Sequence, residues 1–154
     1  MRAPASGVRP APLRPHYFAA MATMRFFDPD ATEYMRAADV YPDTLKAQLT
    51  DAEVANTAVR FHQGLPGRLQ LFEIRLEPGL EISTHAHADD EIVVVTAGEL
   101  HFGRRVCGAG ASVFIPGNTL YGFRAGSEGC RYLNFRAQAD STFFSREDVV
   151  EARR

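Results

Sequence analysis

Residues 79–98 read GLEISTHAHADDEIVVVTAG, and the fold of the chain turns on this stretch. Side chains alternate across a strand, so His85 and His87 face the same way, their imidazoles one pleat repeat apart. The polar turn Ala88-Asp89-Asp90 leads into a second strand on which Glu91, Val93 and Val95 share a face. That arrangement lets the Glu91 carboxylate close on the imidazole pair. Two neutral imidazoles and one carboxylate suit Fe(II), Mn(II), Zn(II) or Ni(II), and a set with open positions favours non-haem iron. Taken alone, the His-Ala-His triplet would sooner suit a solvent-facing strand with an ordinary surface acid beside it.

Outward from this stretch the texture is uniform. Between Val59 and Arg136 short apolar runs alternate with Gly, Pro and Asn: VRFHQ, RLQLFEIRL, LEISTH, EIVVVTA, ELHFG, SVFIP, YGFRA and CRYLNFRA. Short strands separated by turn signals predict an all-β sandwich or barrel. Upstream, residues 24–51 predict irregular chain with short helical turns, with Asp30 or Thr32 as one cap and Pro42 at the start of a second turn. Downstream, Ser145 followed by Arg146, Glu147 and Asp148 predicts a closing helix with acids in its first turn. Residues 1–23 carry Pro4, Pro10, Pro12 and Pro15, and no acid precedes Asp28. A Pro/Ala/Arg segment of this kind buries no core, so it is expected to be a disordered or mis-assigned tail before one domain over residues 24–154.

With 154 residues, 45% hydrophobic and 23% charged, the composition is that of a globular domain rather than a fibrous or disordered chain. A formal net charge of −2 gives no basic field for nucleic acid. No apolar run reaches the roughly 20 residues of a membrane span, so a cytoplasmic protein with no membrane partner is expected. Cys107 and Cys130 match no metal or redox spacing and are expected to be free thiols.

The neighbourhood of the histidines separates the two readings of that triplet. Gly79 stands six residues before His85, Glu91 four after His87, and Gly98 seven after Glu91. At these positions the segment resembles the first signature of the cupin superfamily. A second signature is matched in part by Gly110 and Pro116, but Asn118, Tyr121 and Ala125 stand where the family commonly has Gly, His and Asn. The resemblance covers about residues 68–136. It implies a double-stranded β-helix, the cupin jelly roll, with one divalent transition metal in the mouth of a small barrel, Fe(II) favoured and Mn, Zn or Ni possible. His85, His87 and Glu91 would be its ligands. Asn118 suits a left-handed turn in place of Gly. Three roles are open to Tyr121, the departure from the usual fourth ligand: phenolate ligand, hydrogen-bond or proton donor to a bound substrate, or packing.

Further candidates are substrate contacts. His62 and Gln70 could line the barrel mouth. Tyr132, Asn134 and Arg136 share one parity of their strand and Leu133 and Phe135 the other, with either set able to face inward; Tyr132 and Asn134 are binding residues in the first case. His101 is expected to face solvent. The expected function is a metal-dependent enzyme acting on a small organic molecule, with an Fe(II) dioxygenase leading. A Zn- or Mn-dependent isomerase, hydrolase or lyase, and a non-catalytic metabolite-binding cupin, are the alternatives. Ile92 and Val94 make the outer parity of their strand apolar, so a homodimer is expected.

Overall fold

The computed structural model describes residues 24–63, 68–138 and 142–152; the expected tail, residues 1–23, lies outside them. In chain order the elements are β1 (Met35–Arg36), α1 (Ala37–Val40), α2 (Asp43–Lys46), α3 (Asp51–Ala55), β2 (Thr57–Gln63), β3 (Gln70–Leu76), β4 (Glu81–Ala86), β5 (Glu91–Phe102), β6 (Arg105–Gly108), β7 (Ser112–Ile115), β8 (Tyr121–Arg136), β9 (Phe144–Ser145) and α4 (Arg146–Glu151). The architecture is all-β with short flanking helices. Every pairing is antiparallel.

Strand β8 is the spine. Its second half pairs β3 on one side and β5 on the other, and its first half pairs β4 and the far end of β5. The sequence runs EIVVVTA and ELHFG merge into β5, as YGFRA and CRYLNFRA merge into β8. Glycine permits this. Gly98 (φ +69°) and Gly129 (φ +76°) lie where the two long strands bend past each other, and a Cβ on Gly98 would stand 2.1 Å from the Gly129 carbonyl oxygen. No side chain fits there. Asn118 has φ +60°, the left-handed turn expected of it.

Alternation fills the interior. Val59, Phe72, Ile74, Leu76, Val93, Val95, Leu100, Ile115, Phe123 and Tyr132 form one buried cluster that also takes in Cys107 and Cys130. Both cysteines are free, as expected, and burial pushes the Cys130 thiol up to about 12. On β5, Glu91, Val93 and Val95 point inward while Ile92 and Val94 point outward.

The N-terminal region differs in part from expectation. No helix starts at Asp30 or Thr32. Asp28 Oδ1 accepts the Asp30 N–H at 2.9 Å and closes a turn there. Such side-chain bonds compete with helix. Pro42 does precede a helix, α2. An unforeseen third helix, α3, starts from a capping box in which Thr50 and Glu53 bond each other's backbone N–H. At the C-terminus Ser145 and Asp148 make the same device, and the expected helix α4 follows. Outside β2 and β3, Arg60 holds the incoming chain: it bonds Glu73 and donates to the carbonyls of Pro29 (3.1 Å) and Thr32 (3.3 Å). No helix among the described residues is long and apolar enough to cross a membrane.

Candidate functional site

The barrel opens at the end where β4 gives way to the turn before β5. A cavity of about 390 Å3 begins there. Its body is apolar, walled by Val59, Phe61, Phe72, Ile74, Val93 and Phe123, and the segment through α1 and α2 covers one side with Val40, Tyr41 and Leu45. His85, His87, Tyr121, Asn134 and Arg136 line it together beside the buried Glu91, and Glu53, Thr57 and Gln70 are further polar groups on its wall. A mostly apolar pocket with a few convergent polar groups is the usual form of a small-molecule site.

His85 comes from β4, in register with Tyr121 on β8 and Ser145 on β9. The imidazoles of His85 and His87 lie 5.1 Å apart, centroid to centroid. Each gives Nδ1 to a backbone carbonyl, His85 to Ser83 at 2.7 Å and His87 to Thr142. A carbonyl only accepts, so both rings carry their proton on Nδ1 and keep the Nε2 lone pair. Phe143 stacks on His85 at 4.7 Å and 9°, and the Thr142 hydroxyl takes the Ala88 N–H at 2.8 Å. The segment before α4 therefore fixes both rings. Nothing in its sequence announced this, because Thr and Phe in a connecting segment carry no positional signal.

Glu91 is 1% exposed, and its carboxylate is fully engaged. The Tyr121 hydroxyl donates to Oε1. Oε2 accepts from Asn134 Nδ2 at 2.7 Å, Arg136 Nε at 3.2 Å and Arg136 Nη2 at 3.0 Å. The same Arg136 nitrogen lies 3.0 Å from His87 Nε2, which by its tautomer accepts. One guanidinium thus bridges the carboxylate and an imidazole.

Burial favours the neutral form of both histidines. It lowers the pKa of His85, and for His87 burial and the Arg136 charge together lower it to about 4. Burial alone would raise Glu91, but Arg136 and the hydrogen bonds from Tyr121 and Asn134 outweigh it and hold the carboxyl below its ordinary value. Burial and the adjacent Glu91 push the Tyr121 phenol far up, so it is a neutral donor here.

The remaining candidates divide. Gln70, Tyr132 and Asn134 line the cavity, so the inward parity of β8 is Tyr132, Asn134 and Arg136. Among the described residues Gln70 Oε1 has no hydrogen-bond partner, and it is buried. Asn134 is spent on Glu91 and Arg136. His62 is not among the cavity-lining residues: it sits at a bulge of β2 and stacks on Phe27 at 3.5 Å. The irregular register at the bulge interrupts the alternation of β2 at this residue. His101 is half-buried and bonds Glu99 at 3.0 Å. Glu53, unforeseen, reaches the cavity from α3, with Oε1 accepting the Ser83 N–H at 2.7 Å.

This geometry can be set beside known proteins. No family model and no curated protein matches the sequence, but solved structures do match the fold. The polyketide cyclase RemF from Streptomyces resistomycificus superposes with a TM-score of 0.61 at 20% identity, over 84% of this chain and 92% of that one. An RmlC-like cupin from Ralstonia eutropha gives 0.61 at 14% identity, over 82% and 75%. The fold is the cupin fold. KdgF from Halomonas sp. agrees, with a TM-score of 0.58 at 18% identity over 75% of this chain and 96% of that one. At such identities the likeness fixes architecture, and the chemistry has to be argued from the cupin mouth itself.

The chemistry of the donor set suits a divalent ion: two neutral imidazoles offering Nε2 and an ionised carboxylate at one end of one cavity. The backbone carbonyls on Nδ1 are the outer partners that metal-bound histidines characteristically have. As placed, however, no three His, Cys, Asp or Glu side chains among the described residues are grouped to hold an ion, and Arg136 bonds both Glu91 and His87.

Proposed function

We propose that this cupin is a metal-dependent enzyme that enolises, and thereby isomerises, cyclises or cleaves, an apolar carbonyl compound. His85 Nε2, His87 Nε2 and the Glu91 carboxylate would hold the ion, Zn(II) or Mn(II), which when bound supplies a Lewis acid for a carbonyl oxygen. The observation that carries the reading is the Tyr121 phenol: neutral, partly buried, bonded to Glu91 and at 4.5 Å ring separation from His85, in a cavity with largely apolar walls. With Glu91 drawn onto the ion, the one O–H of this phenol would turn from the carboxylate to an enolate oxygen and stabilise the charge developing there. Gln70 Oε1, without a partner among the described residues, accepts from an O–H or N–H on the substrate. Phe61, Phe72 and Val59 hold its apolar body and exclude water. Relatives in fold bearing the names polyketide cyclase and DMSP lyase support carbonyl and elimination chemistry as within reach of this architecture.

Deuterium uptake next to the carbonyl of 1-tetralone in D2O tests this. Zn- or Mn-loaded protein should speed exchange over buffer, and Tyr121→Phe should keep its metal yet slow the exchange roughly a hundredfold. Exchange at the buffer rate, or unaltered in Tyr121→Phe, would overturn the reading. A specific observation favours a second one: two imidazoles and one carboxylate leave open positions of the kind Fe(II) dioxygenases use. Oxygen uptake by Fe(II)-loaded protein with enol or diketone substrates identifies that activity. Metal uptake with neither reaction would mark a metabolite-binding cupin.

A further inference from the structure

We propose that Glu53 is a positioning residue for the metal site: through the backbone of Ser83 it holds the His85 imidazole in the tautomer that keeps the Nε2 lone pair for an ion. This rests on the metal reading above and adds to it a residue from a helix outside the barrel.

Helices α3 and α4 start from the same capping device but use it differently. In α4 a single oxygen of Asp148, Oδ2, accepts both the Ser145 N–H (2.8 Å) and the Ser145 hydroxyl (2.7 Å), and the acid stays exposed. In α3 a single oxygen of Glu53, Oε2, likewise accepts the Thr50 N–H (2.6 Å) and hydroxyl (2.8 Å). That completes the cap. Glu53 is one methylene longer than an aspartate and only 1% exposed, and its other oxygen, Oε1, accepts the Ser83 N–H on β4 at 2.7 Å. Taking a carboxyl group out of water is costly, and the exposed Asp148 caps α4 without doing so. The longer, buried acid of α3 therefore serves the bond to Ser83.

Ser83 lacks the usual support of a strand residue. The register of β4 with β8 breaks between Ile82 and His85, and β9 pairs with His85 and Ala86, so among the described residues Ser83 has no partner in a neighbouring strand. Side chains hold its main-chain groups instead. Glu53 takes the N–H, and His85 Nδ1 donates to the C=O, also at 2.7 Å. Glu53 fixes Ser83, and the Ser83 carbonyl fixes which ring nitrogen of His85 carries the proton. With Glu53 gone, Ser83 can rotate and the ring can take the other tautomer, whose Nε2 has no lone pair to give an ion.

Two substitutions separate the cap from the link to His85. Glu53→Asp shortens the acid to the length that caps α4, so it keeps the cap and loses Ser83, whereas Thr50→Ala loses the cap hydroxyl and keeps Ser83. In calorimetric titration Glu53→Asp should bind Zn(II) at least about tenfold more weakly than the native protein, the scale of losing an outer partner of a metal-bound imidazole. Thr50→Ala should bind it as the native protein does. A role confined to capping would reverse that order. Nitrogen-15 NMR of the metal-free proteins at about pH 8, where histidines are neutral, gives a readout that a change in stability does not move. The His85 ring, identified by its loss in His85→Gln, should carry its proton on Nδ1 in the native protein and in Thr50→Ala, and should be mixed between Nδ1 and Nε2 in Glu53→Asp. The native spectrum stands even if a variant fails to fold. Zn(II) affinity unaltered in Glu53→Asp, equal losses in the two variants, a single Nδ1 tautomer in Glu53→Asp, or a native His85 protonated on Nε2 would overturn this inference alone. Absence of Zn(II) binding in the native protein would overturn the metal reading with it.

Discussion

At the scale of single residues, the cupin mouth is organised around one buried carboxylate with four donated hydrogen bonds. Removing one partner of a buried ion pair strands the other, at a cost of about 3–5 kcal/mol. Arg136→Gln should therefore destabilise the metal-free protein by about that amount in urea denaturation, and Glu91→Gln by a similar amount. The double variant should cost clearly less than the two losses added, since no charge is left stranded; strict additivity would show that the pair is not coupled. The ligand candidates were legible in the sequence because alternation and a short turn are enough to put His85, His87 and Glu91 on one face. Arg136 was visible only as a member of an inward-or-outward parity. Its bridge to Glu91 arises from the pairing of β8 with β5, a contact 45 residues apart in sequence. His62 sits at a bulge, which periodicity does not reveal.

At the scale of elements, most strands were legible as apolar runs, but their joining into β5 and β8 was not. The bends that let these two strands continue depend on glycines whose φ is set by how closely the strands cross. Gly98→Ala would place its Cβ against the Gly129 carbonyl oxygen, so it should lower the melting temperature by at least about 4 °C or prevent folding. Gly79→Ala has the same sign of φ but nothing within 4 Å of the added Cβ, and should cost less. Equal effects of the two would contradict the close-crossing account. Thr142 and Phe143 gave no sequence signal, yet the first holds His87 by its carbonyl and the second stacks on His85. Phe143→Ala should leave the fold intact and weaken Zn(II) binding by about tenfold, the scale of losing a group that orients a metal-bound imidazole. Unchanged affinity would show that β4 alone orients the ring.

For the whole molecule, the sign of three histidine shifts agrees. His62, His85 and His87 all lie below the ordinary value of 6.5, each with burial as the leading cause. The unfolded chain then takes up protons before the folded one does. Stability contributed by the neutral rings is present above about pH 6.5 and is lost as pH falls, for His87 down to about 4. The urea midpoint of chelator-treated protein should therefore fall between pH 7 and pH 5; a flat or rising midpoint would contradict it. On the outside of the barrel, Phe114 (60% exposed) pairs across strands with Ile92 (39%), which pairs with Phe135 and then Leu71, an apolar row over four strands. The segment held by Arg60 lies over β2 and β3 and leaves Phe114 and Ile92 exposed. A homodimer through this row is the expected state. Light scattering should show it, and Phe114→Lys should return the protein to monomers; a native monomer at micromolar concentration would contradict the assignment. The central claim remains the donor set in the barrel mouth, and X-ray absorption fine structure of Zn(II)-loaded protein tests it most directly. The account predicts two imidazoles on one ion per chain, falling to one in His87→Ala. An ion with no imidazole ligand, or one whose imidazole count is unaltered in that variant, would contradict it.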